Sequence, residues 1–580
     1  MQTRKLFLMT CCLMVLGLLL ASCAPAVAPT ATPKPAAATS KGAAPTPKPA
    51  APAATAKPAA PTLKPSSGQF PIKDEPGKAG GILRIIKHAA TKSLDPHQEI
   101  SINDLSSCQN LYNQLIQYNP FNPNEIISDL AKTWEISSDG KTITFHLREG
   151  VAWHDGKPFT SADAQFSINR MMNPPKEIRS PRKTMFVGVE KLEGPDAHTF
   201  KIVLKEPRAS FLANIASGWY LMMPKHVLEE KGPKACMDNP VGTGPFKLKK
   251  WTRGVSTELV KNDKYFIKDR PYLDGVTVHL IADSSTRFAA LRAGQVQMTN
   301  VGSNGLLPEQ YKTVKESPEL SAKIEAIKYP GLLMPYFIFN LAKKPWNDVR
   351  VRRAAHLAFD RQAMIKAALD FGEIGVLMNP SGPWGTSEEE SSKIAGFRQP
   401  KDADIAEAKR LLADAGYASG FETKVLLRSA MPMHEAMTTL LLDGLSKIGI
   451  RGTMDTQETG TYTETSAKGA FEIVNYVYGR PIDDPDPVIL EQFVTGAGRN
   501  LGGYSDKTVD SLAQEQTRTI DPAGRKTIVK KIQDRLLETC PVLFCYWVTN
   551  GYGKLQTVHN YHPGIGNFNN FRYENVWLEQ

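Results

Sequence analysis

The stretch NPVGTGPFKLKKW, residues 239–251, places two glycines and two prolines directly before an alternating apolar and charged run. It reads as a glycine-punctuated turn that feeds a strand. A phosphate-binding loop is excluded here. The lysine that follows Gly244 comes only at Lys247, with no Ser or Thr after it, so the backbone cradle and the magnesium ligand of that motif are both missing.

Working outward, the same mixture of turns, strands and helices recurs. GGILRII (80–86) is a strand entered through a glycine pair, and SLDPH (93–97) is a turn, because proline fixes its own φ and restricts the residue before it. Leu105 to Ile116 has helical spacing. KTITFHL (141–147) alternates like a half-buried strand after an Asp139-Gly140 turn, and a second such turn, Asp155-Gly156, follows Trp153-His154. Thr160 with Asp163 three positions on has the form of a helix N-cap. C-terminal to the opening stretch, 350–369 predicts one long helix, 406–415 a second stopped at Gly416, and 526–537 a third before Pro541. CPVLFCYW (540–547) predicts an apolar strand. The class is α/β without the regular alternation of a TIM barrel, and no internal repeat is evident. The folded part, some 500 residues, is too long for one core and predicts two or three domains.

The N-terminus is organised differently. Arg4 and Lys5 precede an apolar run from Leu6 to Ala21 that is short for a membrane span, which needs ~20 residues. With small residues before its end, it has the layout of an export signal. Residues 24–79 hold almost only Ala, Pro, Thr, Ser and Lys, too little apolar bulk to offset the entropy of ordering. Extended as polyproline II at ~3.1 Å per residue, such a tether reaches on the order of 150 Å. The net charge of +11 sits mostly in these segments: Arg4 and Lys5, then seven lysines against Asp74 and Glu75. About +4 remains on the folded part, which excludes a nucleic-acid-binding reading. Of seven cysteines, Cys108, Cys236, Cys540 and Cys545 remain beyond Cys23, and four cysteines allow three pairings. A single strand over 540–547 would put Cys540 and Cys545 on opposite faces, so these two should not pair.

Catalytic motifs are broken wherever they begin. His434-Glu435 opens a zinc-peptidase pattern, but position 438 is Thr438. In Gly416-Tyr417-Ala418-Ser419-Gly420 the serine is misplaced for a nucleophile elbow. No cysteine pair has zinc-finger spacing. His154 and His97 read as turn-side packing residues rather than ligands. Arg350, Arg352 and Arg353 read as a solvated helix start with internal salt bridges.

The ordered series GGILRI, SLDPH, VAWHDGKPFTSAD, NPVGTGPFKLKKW, NDKYF, PYLDGV, FNLAKKPWNDVRVRRAAHLAFDR, AKRLLADAGY and LLETCPVLFCYW, spanning about 80 to 548, resembles the extracellular solute-binding proteins of family 5. This is the dipeptide, oligopeptide and nickel-binding group that serves ABC importers. The resemblance implies a periplasmic-binding-protein type II fold (cluster C) with two lobes and an inserted domain. By it, residues 1–23 are a signal peptide with a lipobox, lipidated at Cys23, and 24–79 are the tether. Residues 80–118, 241–334 and 546–580 form lobe I, 119–240 the extra domain and 335–545 lobe II. An ordinary signal peptide and a retained membrane helix are the alternatives at the leader.

The resemblance further implies a non-enzymatic protein without cofactor or metal. It would be a monomer working with permease and ATPase subunits, held to a bacterial membrane on the extracytoplasmic side, and binding a peptide or another small polar solute. An opine, sugar or metal-chelate binder, a ligand-presenting sensor and an exported hydrolase are the alternatives. Ligand contacts are expected at Ile100 and Ser101 after the LDPH turn, and at Tyr476, Tyr478, Arg480 and Asp483. Trp219, Tyr220 and Trp384 are further aromatic candidates. Peptide-binding members carry, four places before a proline, an aspartate that pairs with the peptide amino group. Counted back from Pro485, that place holds Pro481. Asp483 could restore the charge from a shifted loop. Tyr476 and Tyr478 could stack on a ligand or simply pack within a strand, and Arg480 could hold a carboxylate.

Overall fold

The computed structural model describes residues 74–564 and 571–579. Cys23 and most of the tether lie outside these residues. Residues 74–79, given to the tether on composition, lie against the folded part: the Glu75 N–H donates to Asn560 Oδ1 (3.1 Å), and Lys78 stands over the Trp577 ring.

The opening stretch does feed a strand, Phe246–Thr252, the edge of a four-stranded sheet in the order Ile82–Lys87, Gly275–Leu280, Ser256–Lys261, Phe246–Thr252. Ile82–Lys87 runs parallel to Gly275–Leu280, and the other two pairs are antiparallel. A second, antiparallel sheet is ordered Ala131–Ile136, Thr142–Leu147, Thr199–Leu204, Val189–Asp196. One apolar cluster runs through both, from Leu83 to Val301, and takes in Tyr552 to Val576 from the end of the chain.

The other large body is built on a five-stranded sheet ordered Arg451–Gln457, Glu422–Arg428, Ile473–Gly479, Leu333–Phe339, Val542–Phe544. Clusters of buried side chains cover both of its faces, one around Tyr336, Val474 and Phe544, the other around Phe337, Trp346 and Leu441. The chain passes directly between this sheet and a three-stranded one (Ile324–Pro330, Trp547–Leu555, Gly372–Glu373) at two adjacent places, besides the longer passages that lead into and out of Gly372–Glu373. One is Gly331-Leu332, between the consecutive strands Ile324–Pro330 and Leu333–Phe339. The other is Cys545-Tyr546, between Val542–Phe544 and Trp547–Leu555.

Several local expectations are met. Thr160 is the N-cap of Ser161–Met172, with its N–H donating to Asp163 Oδ2 (3.0 Å). His154 is a packing residue whose Nε2 lies 3.0 Å from the Gly244 carbonyl and whose Nδ1 accepts from the Gly242 N–H (3.2 Å). Burial holds its pKa down to about 4, so the ring is neutral.

Other expectations are corrected. The helix over 105–116 starts and stops earlier, at Ile102–Leu111. The helix expected over 350–369 is two, Val349–Ala358 and Arg361–Ala367, because Asp360 accepts the N–H groups of Gln362 and Ala363 and so starts a new helix. The 540–547 run is not one strand. Cys540 closes the helix Pro522–Thr539 in a left-handed conformation, and only Val542–Phe544 is strand before Cys545. The two cysteines do stay unpaired, and all four cysteines among the described residues are free and buried. Arg350 is solvated beside Asp348, but Arg352 is buried and donates to the carbonyls of Cys540, Trp346 and Thr539.

The glycines of the opening stretch are there for contact rather than for unusual φ. A Cβ built on Gly242 would stand 1.7 Å from the Leu111 carbonyl oxygen, and the Gly244 N–H donates to that same oxygen (2.9 Å). Gly242→Ala should therefore cost about 3 kcal/mol, as overpacking against unyielding backbone does. Urea unfolding checks this, and a variant as stable as the parent would mean that the backbone moves aside freely.

Candidate ligand-binding cavity

A cavity of about 580 Å³ opens between four segments. These are Ile100 after the LDPH turn, the stretch 181–220, the crossing at Leu332-Leu333, and 479–491. Each is positioned by a local device. The LDPH turn is held by Asp95, whose carboxylate receives a bidentate bond from Arg170 (2.6 and 3.2 Å) with both side chains buried. The Arg170 guanidinium holds the Asp95 carboxyl below its ordinary value against the opposing effect of burial. His97 is fully buried, with Nε2 2.8 Å from the Leu221 carbonyl, and burial pushes its pKa down to about 3. It is a structural turn residue.

Arg182 fastens this turn to the next wall. It donates to the carbonyls of Glu99 (2.5 Å) and His97 (3.5 Å), and its guanidinium lies 4.2 Å from the centre of the Trp219 ring. Burial lowers its pKa to about 10, so it stays cationic at neutral pH. Trp219 and Tyr220 both line the cavity. Trp384 does not; it lies under Arg525 at 4.9 Å.

The 479–491 wall follows from its sequence, GRPIDDPDPVILE. Strand Ile473–Gly479 ends at the glycine, and Asp484 caps the helix Pro485–Gln492, accepting the Asp486 N–H (2.9 Å). Asp484 also takes a bidentate bond from buried Arg525 (2.7 and 2.8 Å). Asp486 accepts from Ser210 Oγ (2.5 Å), Gln516 Nε2 (2.5 Å) and Thr517 Oγ1 (2.9 Å).

Only part of the expected contact set meets the cavity. Ile100 does, with 73% of its surface exposed. Ser101 does not, because its hydroxyl accepts the Asn103 N–H (3.2 Å) as the N-cap of Ile102–Leu111. Neither tyrosine lines it. Tyr478 is buried in the core with its hydroxyl 3.0 Å from both the Pro487 carbonyl and the Glu491 carboxylate. Tyr476 packs edge-on against Tyr336 and accepts from Arg499 Nη1 (3.0 Å). Strand packing is what both side chains do.

Arg480 lines the cavity, yet its side chain is fully buried and already partnered. Nη2 donates to Asp483 Oδ1 (2.8 Å), Nη1 faces Met378 Sδ (3.5 Å), and the guanidinium lies 4.3 Å from the centre of the Trp547 ring. Asp483 is likewise enclosed, its Oδ2 packed where a Cβ on Gly382 would come within 1.8 Å. Burial pushes its pKa up to about 6, beyond what the Arg480 charge pulls back. Pro481 itself forms part of the cavity wall. Sequence reading missed Arg182, Arg208 and Glu491, which also line it. The charges of Pro181-Arg182 and Pro207-Arg208 were visible, but no spacing relates those dipeptides to a loop some 270 residues on.

The comparisons agree with this architecture. Residues 125–500 match the model of bacterial extracellular solute-binding proteins, family 5 (middle region). The chain belongs to that family. It is 28% identical over 462 residues to the glutathione-binding protein GsiB of Pectobacterium atrosepticum, covering 78% of this chain and 86% of the relative. To the dipeptide-binding protein of Escherichia coli it is 28% identical over 460 residues, covering 75% and 83%. Among solved structures, the periplasmic binding protein DppA of Helicobacter pylori, in complex with the peptide STSA, superposes with a TM-score of 0.66 at 27% identity, over 87% of this chain and 99% of that one. The family consists of extracytoplasmic substrate-binding proteins of ABC importers, not of enzymes. Among the described residues no helix is long and apolar enough to cross a membrane, and no cluster of His, Cys, Asp and Glu is arranged to hold a metal ion.

Removing Arg480 would strand Asp483 in an enclosed site. The folded pKa of Asp483 lies above the ordinary carboxylate value, so the stability linked to its proton is present below about pH 4 and lost as pH rises through about 6. Arg480→Gln should thus cost about 3 kcal/mol at pH 8, where Asp483 must ionise unpaired or hold its proton unfavourably, and clearly less at pH 5. Urea unfolding at both pH values checks this. Equal losses would mean that the charge on Asp483 does not matter to the fold.

Proposed function

We propose that this protein binds a peptide or another small polar solute in the 580 Å³ cavity and delivers it to a membrane permease driven by ATPase subunits. The observation that carries this reading is the cavity itself. Its size lies within the ~300–1,000 Å³ of small-molecule sites, and its walls are apolar with a few charged groups, as in such sites. The dipeptide- and glutathione-binding relatives support a peptide or peptide-like ligand. In this reading 80–118, 241–334 and 546–580 form one lobe, 119–240 an extra domain sharing its apolar core, and 335–545 the second lobe. The adjacent crossings at Gly331-Leu332 and Cys545-Tyr546 suit a hinge, the motion by which periplasmic binding proteins, a standard example of hinge closure, enclose ligands.

The amino-terminal clamp of peptide binders has no free carboxylate in this loop. Pro481 stands at its usual place, and Asp483 is spent on Arg480. A random tripeptide pool and its N-acetylated counterpart should therefore bind within about threefold of each other by calorimetry. An acetylation penalty above about 2 kcal/mol, roughly 30-fold, that Asp483→Asn removes would show a working clamp and overturn this.

The leader reading completes the proposal: Cys23 carries a lipid that holds the chain to a bacterial membrane on the extracytoplasmic side, in a periplasmic space or at the outer cell surface. Cys23→Ser should release the protein from membranes or leave its leader uncleaved. Fatty-acid label persisting on the Cys23→Ser protein would sink the assignment.

A further inference from the structure

Three arginines line the cavity, and two are buried with both terminal nitrogens taken up by the protein. Arg182 donates to two backbone carbonyls and covers Trp219, while Arg480 is enclosed with Asp483 beneath Trp547. Arg208 differs. Its Nη1 donates to the Met185 carbonyl (2.9 Å), and 27% of its side chain is exposed. The nearest carboxylate, Asp486, stays 3.9 Å from Nε, beyond hydrogen-bond reach, and is already supplied by Ser210, Gln516, Thr517 and Arg525. Among the described residues, Nε and Nη2 of Arg208 therefore have no hydrogen-bond acceptor. The other acid on the wall, Glu491, is met by the Tyr478 hydroxyl (3.0 Å) and Arg499 Nε (3.1 Å).

The segment that carries Arg208 is held in place. The Ala209 N–H donates to the Thr517 carbonyl (2.8 Å), Ser210 to Asp486 (2.5 Å), and Glu206 pairs with Arg518 (2.7 Å). Pro207 packs where a Cβ on Gly140 would come within 3.0 Å. A guanidinium so placed, with two donor sites open, is a preorganised donor to a planar anion. The ordering that such a contact normally costs is already met by the segment's own bonds.

We propose that Arg208 is the residue of this cavity that reads an anionic group of the ligand, so that the site selects a free carboxylate over its neutral amide. This rests on the cavity being the ligand site. Nonspecific attraction to the chain's positive charge would not separate an acid from its amide so sharply, and it would not depend on this one side chain.

The test uses the full chain, incubated with a random tripeptide pool and with the same pool as C-terminal amides. Retained peptide is counted by mass spectrometry after gel filtration. Wild type should retain the acids at least about tenfold over the amides, the discrimination expected of one charge-assisted bond. Arg208→Met should abolish the preference and Arg208→Lys keep part of it, with both unliganded variants melting close to wild type. If Arg208→Met does not fold, the wild-type preference and the Arg208→Lys values decide. Equal retention of acids and amides by wild type, or a preference untouched in Arg208→Met, overturns the role of Arg208 while leaving the peptide reading intact. Retention of neither pool overturns the peptide reading and this inference with it.

Discussion

The enclosed pair of Arg480 and Asp483 sets the geometry of the binding wall. A buried guanidinium has five donors to satisfy and cannot shed its charge, so whatever surrounds it is tightly constrained. Here a carboxylate, a thioether and the face of Trp547 surround it, and its backbone N–H donates to the Leu332 carbonyl (3.1 Å). Leu332 and Trp547 flank the two places where the chain passes between sheets. The cavity loop, the first crossing and the second crossing are therefore fastened at one residue. A buried ion pair adds little net stability, because desolvation offsets most of its attraction. What it supplies is a single arrangement of three segments that are far apart in sequence.

Much of the fold was legible because its signals are local. Thr160 with Asp163 and the turn at Asp95-Pro96 each act within a few residues, and each does what its chemistry predicts. The failures share a cause. Alternating tyrosines at 476 and 478 look the same in sequence whether the strand face meets a ligand or a core; the helix Pro485–Gln492 folding back over Tyr478, and Tyr336 and Arg499 against Tyr476, decide for packing. Arg352 was read as solvated because arginines near a helix start usually are. It is buried because the left-handed turn at Cys540 presents carbonyls to it from 188 residues away. Phe359-Asp360 breaks a helix whose apolar face runs through it, since a capping aspartate competes with continuation and periodicity does not register that competition.

The candidate site was less legible than the fold for the same reason, carried further. Ile100 and Arg480 line the cavity, yet the chemical availability of Arg480 depends on Asp483, three residues on, and on Trp547, which no spacing rule connects to it. The departure at Pro481 was visible in the sequence and remains a wall residue without charge or N–H. Asp483 answers to Arg480 instead of to the cavity. Pro481 fixes its own φ at the cavity wall, and two residues on Asp483 turns inward to Arg480.

That inward turn bears on how the two sides of the cavity can move. In the proposed two-lobe reading, closure must bring 181–220 against 479–491, and the wall that belongs to the second lobe is tied through Leu332 to the first crossing. A Cβ on Gly331 would meet the Val548 carbonyl at 2.5 Å, so the two crossing segments are in direct backbone contact and must bend together. Bending there carries Arg480, and with it Pro481 and the start of the following helix. On the opposite wall, Glu206, Ala209 and Ser210 bond to Arg518, Thr517 and Asp486, across the line where the lobes would part. These three contacts lie beside Arg208 and hold its segment in the closed arrangement. A ligand bridging Arg208 and the 479–491 loop spans the same line, and would therefore favour the same closed arrangement that those contacts already hold.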